Sequence, residues 1–247
     1  MRRGIFVAPF DELADPRVVS ALAASAEERG FDGFFLWDHV NYRPPTRGVA
    51  DPWVALSAIA CGTERMRIGP LVTPLSRRRV QKVARETVTL DLLSGGRLVL
   101  GIGLGSDRNG ELEPFGEVTD PRERARLLDD GLERLVRFWD GEFEPRPLQA
   151  PRIPVWVAAR WPNRAPLRRA ARWDGVFPID LEEPEQLVEV VRYVREQRPD
   201  GGPFEVVVEN PAGVDPAPWE AAGATWCLTS FGQTPTEQEV REAIAAG

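Results

Sequence analysis

The amino-acid sequence predicts an α/β fold, in the form of a closed (β/α)8 barrel, or TIM barrel. Short apolar runs alternate strictly with amphipathic helical segments, which is typical of a parallel sheet joined by right-handed crossovers. Eight such units can be counted along the chain. The length of 247 residues is close to the ~250 of a typical barrel, so we expect a single domain over residues 1–247.

The predicted strands are apolar runs of a few residues, bounded by Gly, Pro or Asp, as buried parallel strands usually are. They cover residues 3–10, 33–39, 68–73, 97–106, 153–159, 175–179, 204–210 and 225–230. The fourth run ends in the glycines of GIGLGS, which allow a ligand or another backbone to approach closely.

Most helices are predicted from a capping residue followed by proline, which is favoured at the first helical position. These starts are Asp15-Pro16, Asp51-Pro52, Asp120-Pro121 with Glu123 as a capping box, Glu183-Pro184, and Thr234-Pro235 with Glu237. The third helix is predicted over 77–93 and the fifth begins near Pro162. The seventh, over 215–222, is the weakest because Pro216 and Pro218 interrupt it.

The composition of the chain limits the kinds of partner that it is expected to bind. The net charge of −7 provides no basic surface for nucleic acid or an anionic membrane, so a small-molecule substrate is expected. There is neither a signal-peptide pattern nor an apolar run of ~18 residues. Cys61 and Cys227 lack metal-ligand spacing, and we interpret both as buried residues in a reducing, cytoplasmic compartment. The only lysine, Lys82, lies in a predicted helix, which argues against a Schiff-base lysine at a strand end.

The active site of such a barrel forms at the carboxyl ends of the strands. The residues that end the predicted strands are Phe10, Trp37-Asp38-His39, Thr73, Gly105-Ser106, Ala159-Arg160, Ile179-Asp180, Glu209-Asn210 and Thr229-Ser230. His39 is the only histidine, so a histidine metal cluster is not expected. It fits either a hydrogen-bonded structural residue or a proton donor and acceptor near neutral pH.

Two segments, IGPLVTPL at 68–75 and LDLLSGGRLVLGIGLG at 90–105, resemble the third and fourth strands of the bacterial luciferase-like oxidoreductases. Those enzymes use FMN or the deazaflavin F420 on a TIM-type barrel. FLWDH at 35–39 resembles the Asp-His of F420-type members, in which the histidine lies beside the deazaflavin ring. The resemblance implies His39 as a catalytic residue oriented by Asp38. It leaves F420 or FMN unresolved, with a slight preference for F420.

The resemblance also implies cofactor-binding residues. Family members often carry a non-prolyl cis peptide at the end of strand three, which by position is Pro70–Leu71. Strand four would lie against the flavin ring, although close packing in the barrel also accounts for its glycines. Residues 157–178 resemble the fifth strand, helix and sixth strand, where a phosphate would be held. The implied set is Pro70, Leu71, Thr73, Gly103, Gly105, Ser106, Ala158, Ala159, Arg160, Asn163 and Arg164.

Alternatives remain open for several of these residues. Arg164, Arg168, Arg169 and Arg172 fit a solvated helix face, and GIGLGS does not have the glycine spacing of a dinucleotide-binding fold. Members usually carry a longer segment before strand five than the residues 141–152 found in this chain. We therefore expect a more open substrate site.

The function expected from the resemblance is a luciferase-like oxidoreductase or monooxygenase that uses reduced FMN or F420 on a small organic substrate. A flavin-binding barrel without turnover and a cofactor-free lyase or isomerase are the alternatives. A separate flavin reductase and a homodimer are left open as partners.

Overall fold

The computed structural model describes residues 1–198 and 201–247. Its strands all run parallel in one sheet, ordered β3-β2-β1-β9-β8-β7-β6-β5-β4. The strands are β1 (Arg2–Val7), β2 (Gly33–Leu36), β3 (Arg67–Pro70), β4 (Thr73–Pro74), β5 (Leu100–Gly103), β6 (Val155–Arg160), β7 (Gly175–Ile179), β8 (Glu205–Pro211) and β9 (Trp226–Ser230).

The sheet closes into a barrel at the third predicted strand, which the structure divides into β3 and β4. β3 pairs with β2, and β4 pairs with β5. An isolated parallel bridge joins Ile68 to Leu98, and the Val99 N–H donates to the Ile68 carbonyl at 2.9 Å. The predicted eight-stranded barrel is therefore confirmed, with its third strand interrupted.

The interruption contains a non-prolyl cis peptide at Leu71–Val72. Our prediction of a cis bond at Pro70–Leu71 is wrong by one residue. The Leu71 N–H still donates to the Leu36 carbonyl at 2.7 Å, which continues the ladder with β2. The strand therefore breaks only after Leu71.

The helices are α1 (Pro16–Glu28), α2 (Pro52–Gly62), α3 (Val80–Leu93), α4 (Pro121–Arg137), α5 (Arg164–Ala170), α6 (Pro184–Glu196), α7 (Ala217–Ala221) and α8 (Glu237–Ala246). Asp15, Asp51 and Asp120 accept backbone N–H groups at three helix starts, as predicted. The capping box predicted at Asp120 is only half formed, because the Glu123 carboxylate pairs with Arg126. The weak seventh helix has only five residues.

Two helix starts differ from the prediction. α3 begins at Val80, because Leu75–Arg77 form a separate 3-10 turn. α8 begins at Glu237, because the capping box is formed by Thr236 and Glu239. Both Thr234 and Thr236 stand three residues before a glutamate, so the sequence offers two registers, and only the later one is used.

Aromatic and aliphatic side chains fill the barrel interior. The buried interior cluster consists of Phe6, Phe35, Leu71, Val99, Trp156, Phe177, Val207, Trp226 and Leu228. Small residues make room for the large ones: a Cβ at Gly33 would lie 2.6 Å from the Phe35 ring. Side chains thus fill the barrel interior, and the active site of such a barrel forms at the carboxyl ends of its strands, which we call the mouth.

Candidate active site

Asp38 follows β2 and lies fully inside the protein, with 1% of its side chain exposed. Its carboxylate accepts hydrogen bonds from Thr73 Oγ1 at 2.6 Å, from Trp53 Nε1 at 3.2 Å and from Arg77 Nη2 at 3.0 Å. These bonds tie the end of β2 to β4, to the turn after it and to α2. Asp38 therefore holds the interrupted third strand in place.

The neighbouring His39 points to a different partner. Its Nδ1 lies 2.8 Å from Glu111 Oε2, in the loop between β5 and α4. The expectation that Asp38 orients His39 is thus not met, because consecutive residues in an extended segment point to opposite sides. Glu111 takes that place. It also accepts the Val40 N–H at 3.1 Å and Arg77 Nη1 at 2.8 Å, so Arg77 bridges both carboxylates.

The charge state of Glu111 sets the tautomer of His39. Burial alone would raise the pKa of Glu111, but the hydrogen bond and charge of His39, the charge of Arg77 and the Val40 N–H outweigh it and lower the pKa. An ionised carboxylate accepts only, so we infer that Nδ1 carries a proton. Nε2 has no hydrogen-bond partner among the described residues and remains able to accept or release a proton.

Aromatic rings surround His39 at the mouth. The ring centroids of Tyr42, Trp37 and Phe10 lie 4.9, 5.7 and 6.0 Å from that of His39. The His39 side chain is 25% exposed, so solvent or a ligand can reach it. The Trp37 Nε1–H is buried without a hydrogen-bond partner in the described chain. Such a donor marks a position where a ligand acceptor fits.

The glycines of β5 serve close packing. A Cβ at Gly101 would lie 2.3 Å from the Pro70 carbonyl oxygen, and one at Gly103 would lie 2.8 Å from Val72 Cγ2. Gly105 has a φ of +73°, and its Cβ would meet Pro74 at 2.8 Å. These positions face the interrupted third strand, so the packing interpretation accounts for them. Contact of Gly103 and Gly105 with a flavin ring stays a prediction.

The remaining residues implied by the resemblance spread over two strand ends and a helix. Thr73 is buried against Asp38, and Pro70 and Leu71 are buried in the third strand. Ala158 packs on the barrel interior, whereas Ala159 is buried among the outer hydrophobic residues. Ser106 Oγ accepts the Arg108 N–H at 3.2 Å in the exposed loop after β5.

Arg160 ends β6 on the same face as Ala158 and forms an ion pair with Asp180. Partial burial and the nearby positive charge of Arg108 lower the pKa of Arg160. Arg160 at the end of β6 and Arg108 in the loop after β5 are thus near enough to interact electrostatically. Two such cations favour an anionic ligand beside them.

The start of α5 contributes less than predicted. Asn163 is the N-cap but makes no side-chain capping bond. Arg164 pairs with Glu189 at 3.4 Å and lies over the Tyr193 ring at 4.9 Å. Arg164 therefore fits the solvated helix face, the alternative that the sequence left open.

Sequence reasoning missed Glu111, Arg77 and Arg108. The run SRRR at 76–79, directly after the third strand, was a usable signal for Arg77. Glu111 and Arg108 lie in a loop without periodicity, and nothing in the sequence places them beside His39 or Arg160.

One cysteine also differs from expectation. Cys61 is exposed on α2, so its predicted burial is wrong; it sits on the outward side of that helix. Cys227 is buried in β9, and burial raises the pKa of its thiol to about 11.

Within residues 1–198 and 201–247, no three His, Cys, Asp or Glu side chains are grouped as a metal site would need. No helix of that same part could cross a membrane.

A barrel with an interrupted third strand and an Asp-His pair at its mouth agrees with the family that the motifs predicted. The sequence model of the luciferase-like monooxygenase family matches residues 1–245. The chain therefore belongs to the luciferase-like monooxygenase family.

Among curated relatives, the chain is 29% identical over 232 residues to a phthiodiolone/phenolphthiodiolone dimycocerosates ketoreductase of Mycobacterium tuberculosis, covering 78% of this chain. The match spans only 58% of that relative's length.

Solved structures share the fold. A monooxygenase from Streptomyces bottropensis is similar with a TM-score of 0.79 at 20% identity, covering 99% of this chain and 97% of the other. The F420-dependent tetrahydromethanopterin reductase from Methanopyrus kandleri has a TM-score of 0.76 at 17% identity, covering 98% and 96%. The oxygenating constituent of a 3,6-diketocamphane monooxygenase from Pseudomonas putida, in complex with FMN, has a TM-score of 0.69 at 16% identity, covering 87% and 68%. F420-dependent and FMN-binding proteins are thus both among its structural neighbours.

Proposed function

We propose that the chain is an oxidoreductase that binds reduced F420 or FMN at the barrel mouth and acts on a small organic substrate. The observation that carries the proposal is the pair of His39 and a buried, ionised Glu111, 2.8 Å apart, with Nε2 left for a ligand. When bound, the cofactor would supply the reducing equivalents, for hydride transfer or for oxygen activation.

The chain's own groups would orient the substrate and move a proton. His39 Nε2 would donate or accept the proton of the reacting substrate group, while Glu111 stabilises the protonated ring. Arg77, whose side chain is 5% exposed, donates to both carboxylates and so fixes Asp38 and Glu111 in place, and its charge helps to lower the pKa of Glu111. Because these groups are connected by hydrogen bonds before any ligand arrives, little reorganisation is needed in the reaction.

The cofactor phosphate is assigned to Arg160, assisted by Arg108. A phosphate beside these two guanidinium groups would accept charge-assisted hydrogen bonds from them, in exchange for the Arg160–Asp180 ion pair. The orphaned Trp37 Nε1–H and the aromatic rings near His39 suit a flat, polar-edged ring. These features support a flavin-type cofactor at this position.

We favour F420 slightly over FMN, as the Asp38-His39 motif does, and a carbonyl compound or its alcohol as substrate. The name of the mycobacterial relative, a ketoreductase, supports the carbonyl or alcohol substrate. A single domain over residues 1–247 and a cytoplasmic location are also retained as proposals; the free cysteines agree with the latter. A separate flavin reductase, if the cofactor is FMN, and a homodimer are part of the same proposal.

A flavin-binding barrel without turnover is the second candidate, suggested by the short segment before β6. The hydrogen bonds of Leu148 and Gln149 go to Asp91 of α3, Arg67 and the Leu98 carbonyl, at the amino end of the barrel. The segment therefore does not cover the mouth.

Fluorescence titration of the purified protein with FMN and with F420 tests the proposal. Binding of one cofactor, followed by its oxidation or reduction upon addition of a ketone, an alcohol or oxygen, is the expected result. Stoichiometric binding without any turnover would favour the second candidate. Binding of neither cofactor would reject both.

A further inference from the structure

Glu209 is a carboxylate at the mouth that the proposed proton transfer does not use. It lies in β8, where Val207 belongs to the interior cluster and Val206 and Val208 belong to the outer core. Because side chains alternate along a strand, Glu209 faces the same side as Val207, two residues nearer the mouth. It is partly accessible to solvent.

The immediate neighbours of Glu209 are apolar. It is in register with Leu228 of β9, a fully buried member of the interior cluster, and Ile179 at the end of β7 packs against the same cluster. No described side chain or backbone group forms a hydrogen bond with its carboxylate. Burial alone raises the pKa of Glu209 to about 7.

Most other charged groups near the strand ends are already engaged, and Arg108, in the loop after β5, acts electrostatically on Arg160. Asp180 and Arg160, after β7 and at the end of β6, pair with each other; His39, after β2, pairs with Glu111; and the Asp11 carboxylate, after β1, accepts the Arg47 and Gly48 N–H groups. After β8, Asn210 bonds to Trp219 and to the Val214 carbonyl. Glu209 thus stands alone, three strands around the sheet from β2 and His39.

We propose, on the basis of the function proposed above, that Glu209 orients the substrate: its protonated carboxyl donates a hydrogen bond to a carbonyl or hydroxyl oxygen of an uncharged substrate. An uncharged oxygen acceptor suits this position because it can enter apolar surroundings without a counter-ion, whereas a charged group would lose its hydration there. Glu209 then selects neutral oxygen-containing substrates, whereas the proton transfer stays with His39.

The protonation state of Glu209 gives a direct test. Protein labelled with ¹³C at the glutamate carboxyl is titrated by NMR, and the Glu209 signal is assigned by its absence in Glu209→Gln. Glu182→Gln, an exposed loop glutamate, is the control that loses a different signal. We expect Glu209 to titrate near 7 and cyclohexanone to raise its pKa, since the ketone binds the protonated form. A titration below about 5, or a pKa unchanged at saturating ketone, would overturn the inference.

The ketone affinity gives the second readout, measured calorimetrically on protein saturated with whichever cofactor it binds. If only the acid form binds, affinity falls about tenfold from pH 6 to pH 8. Glu209→Gln keeps a donor, so its affinity at pH 6 stays within a few-fold of wild type and no longer depends on pH. The proposal would be contradicted if no ketone binding is detected, or if Glu209→Gln shows the same pH dependence as wild type. It would also be contradicted if the affinity for cyclohexylamine increases with pH while the affinity for the ketone does not change with pH.

These outcomes are separable from the fate of the proposed function. If neither FMN nor F420 binds, the proposed function is rejected, yet the carboxyl titration and the ketone affinity of the cofactor-free protein still decide the role of Glu209. If a cofactor binds and turns over while the ketone neither changes the pKa of Glu209 nor binds in a pH-dependent way, only the inference about Glu209 is rejected.

Discussion

Buried charged side chains have different hydrogen-bond partners at the two ends of the barrel. At the amino end, the guanidinium of Arg97 donates to the backbone carbonyls of Ala60, Thr63, Met66 and Ser94. Nearby, the Glu27 carboxylate accepts three consecutive backbone N–H groups, at residues 64–66. At the mouth, by contrast, the buried carboxylates of Asp38 and Glu111 bind mainly side chains, and Arg77 donates to both of them.

The difference separates stability from binding. Backbone partners at the amino end are positioned by the helices and strands themselves, so Arg97 and Glu27 are satisfied whenever the barrel is closed.

At the mouth, the Trp37 Nε1–H is buried without a partner in the described chain, as are Trp173 and Trp226 Nε1 near the amino ends of β7 and β9. No described residue forms a hydrogen bond with His39 Nε2 or the Glu209 carboxylate, and these two side chains, unlike the buried indole N–H groups, are partly exposed to solvent. A fully buried polar group without a partner costs about 1–3 kcal/mol, whereas the partly exposed His39 and Glu209 can be solvated and are available to a ligand. Mutations at the amino end should therefore lower the free energy of unfolding, whereas mutations at the mouth should change binding or turnover.

Replacement of Arg97 gives the largest expected effect. Arg97→Ala leaves several buried carbonyls without a donor, and we expect a loss of about 3–5 kcal/mol in the free energy of unfolding, measured by urea denaturation. The exposed Arg65→Ala is the control and should stay within about 0.5 kcal/mol of wild type. A loss below about 1 kcal/mol for Arg97→Ala would mean that the amino end is not a stability site.

His39→Ala should act on catalysis instead. We expect turnover to fall by ~10²-fold or more, about 2.7 kcal/mol in the activation free energy, with cofactor affinity within a few-fold. Its exposed neighbour Val40, mutated to alanine, should keep full turnover. Steady-state kinetics and cofactor titration measure both. A large change in unfolding free energy with unchanged turnover would assign His39 to the structure.

Arg160→Ala sharpens the comparison at the side of the mouth. We expect cofactor binding to weaken by about 1.5–3 kcal/mol, the range for hydrogen bonds between charged groups. Arg168→Ala, on the exposed face of α5, should leave the affinity unchanged. Equal affinities for both variants in a fluorescence titration would remove the phosphate assignment.

The smallest effect, and one of opposite sign, is expected for Glu209→Gln. Because the pKa of Glu209 is raised to about 7 in the folded protein, the folded state holds a proton that the unfolded state releases above its ordinary value of 4.5. Wild-type stability should therefore decrease from about pH 5 to pH 7. Glu209→Gln avoids this decrease and should be more stable than wild type by about 1–2 kcal/mol at pH 8, after allowance for partial exposure, and equal at pH 5. Urea denaturation at both values checks it; a variant less stable at pH 8 would show that the carboxylate has a structural partner.

Local chemistry in the sequence determined the barrel and most of its helix starts. Alternation of apolar runs with amphipathic segments depends on neighbouring residues only, and so do the caps at Asp15, Asp51 and Asp120. The order of strands also placed His39, Asp38 and Glu209 at the mouth, since parallel strands present their carboxyl ends at one edge. The family, which the motifs at 68–75 and 90–105 indicated, follows from the same local information.

Tertiary structure alone decided which of these residues touch. His39 and Glu111 are 72 positions apart, and Asp38 and Arg77 are 39 apart, so their pairing depends on how the barrel closes and on the path of a long loop. The break at Leu71–Val72 and the filling of the Gly101 and Gly103 positions likewise arise where two distant strands meet. Side-chain contacts of this kind are set by the packing of the closed barrel, and residue spacing along the chain carries no information about them.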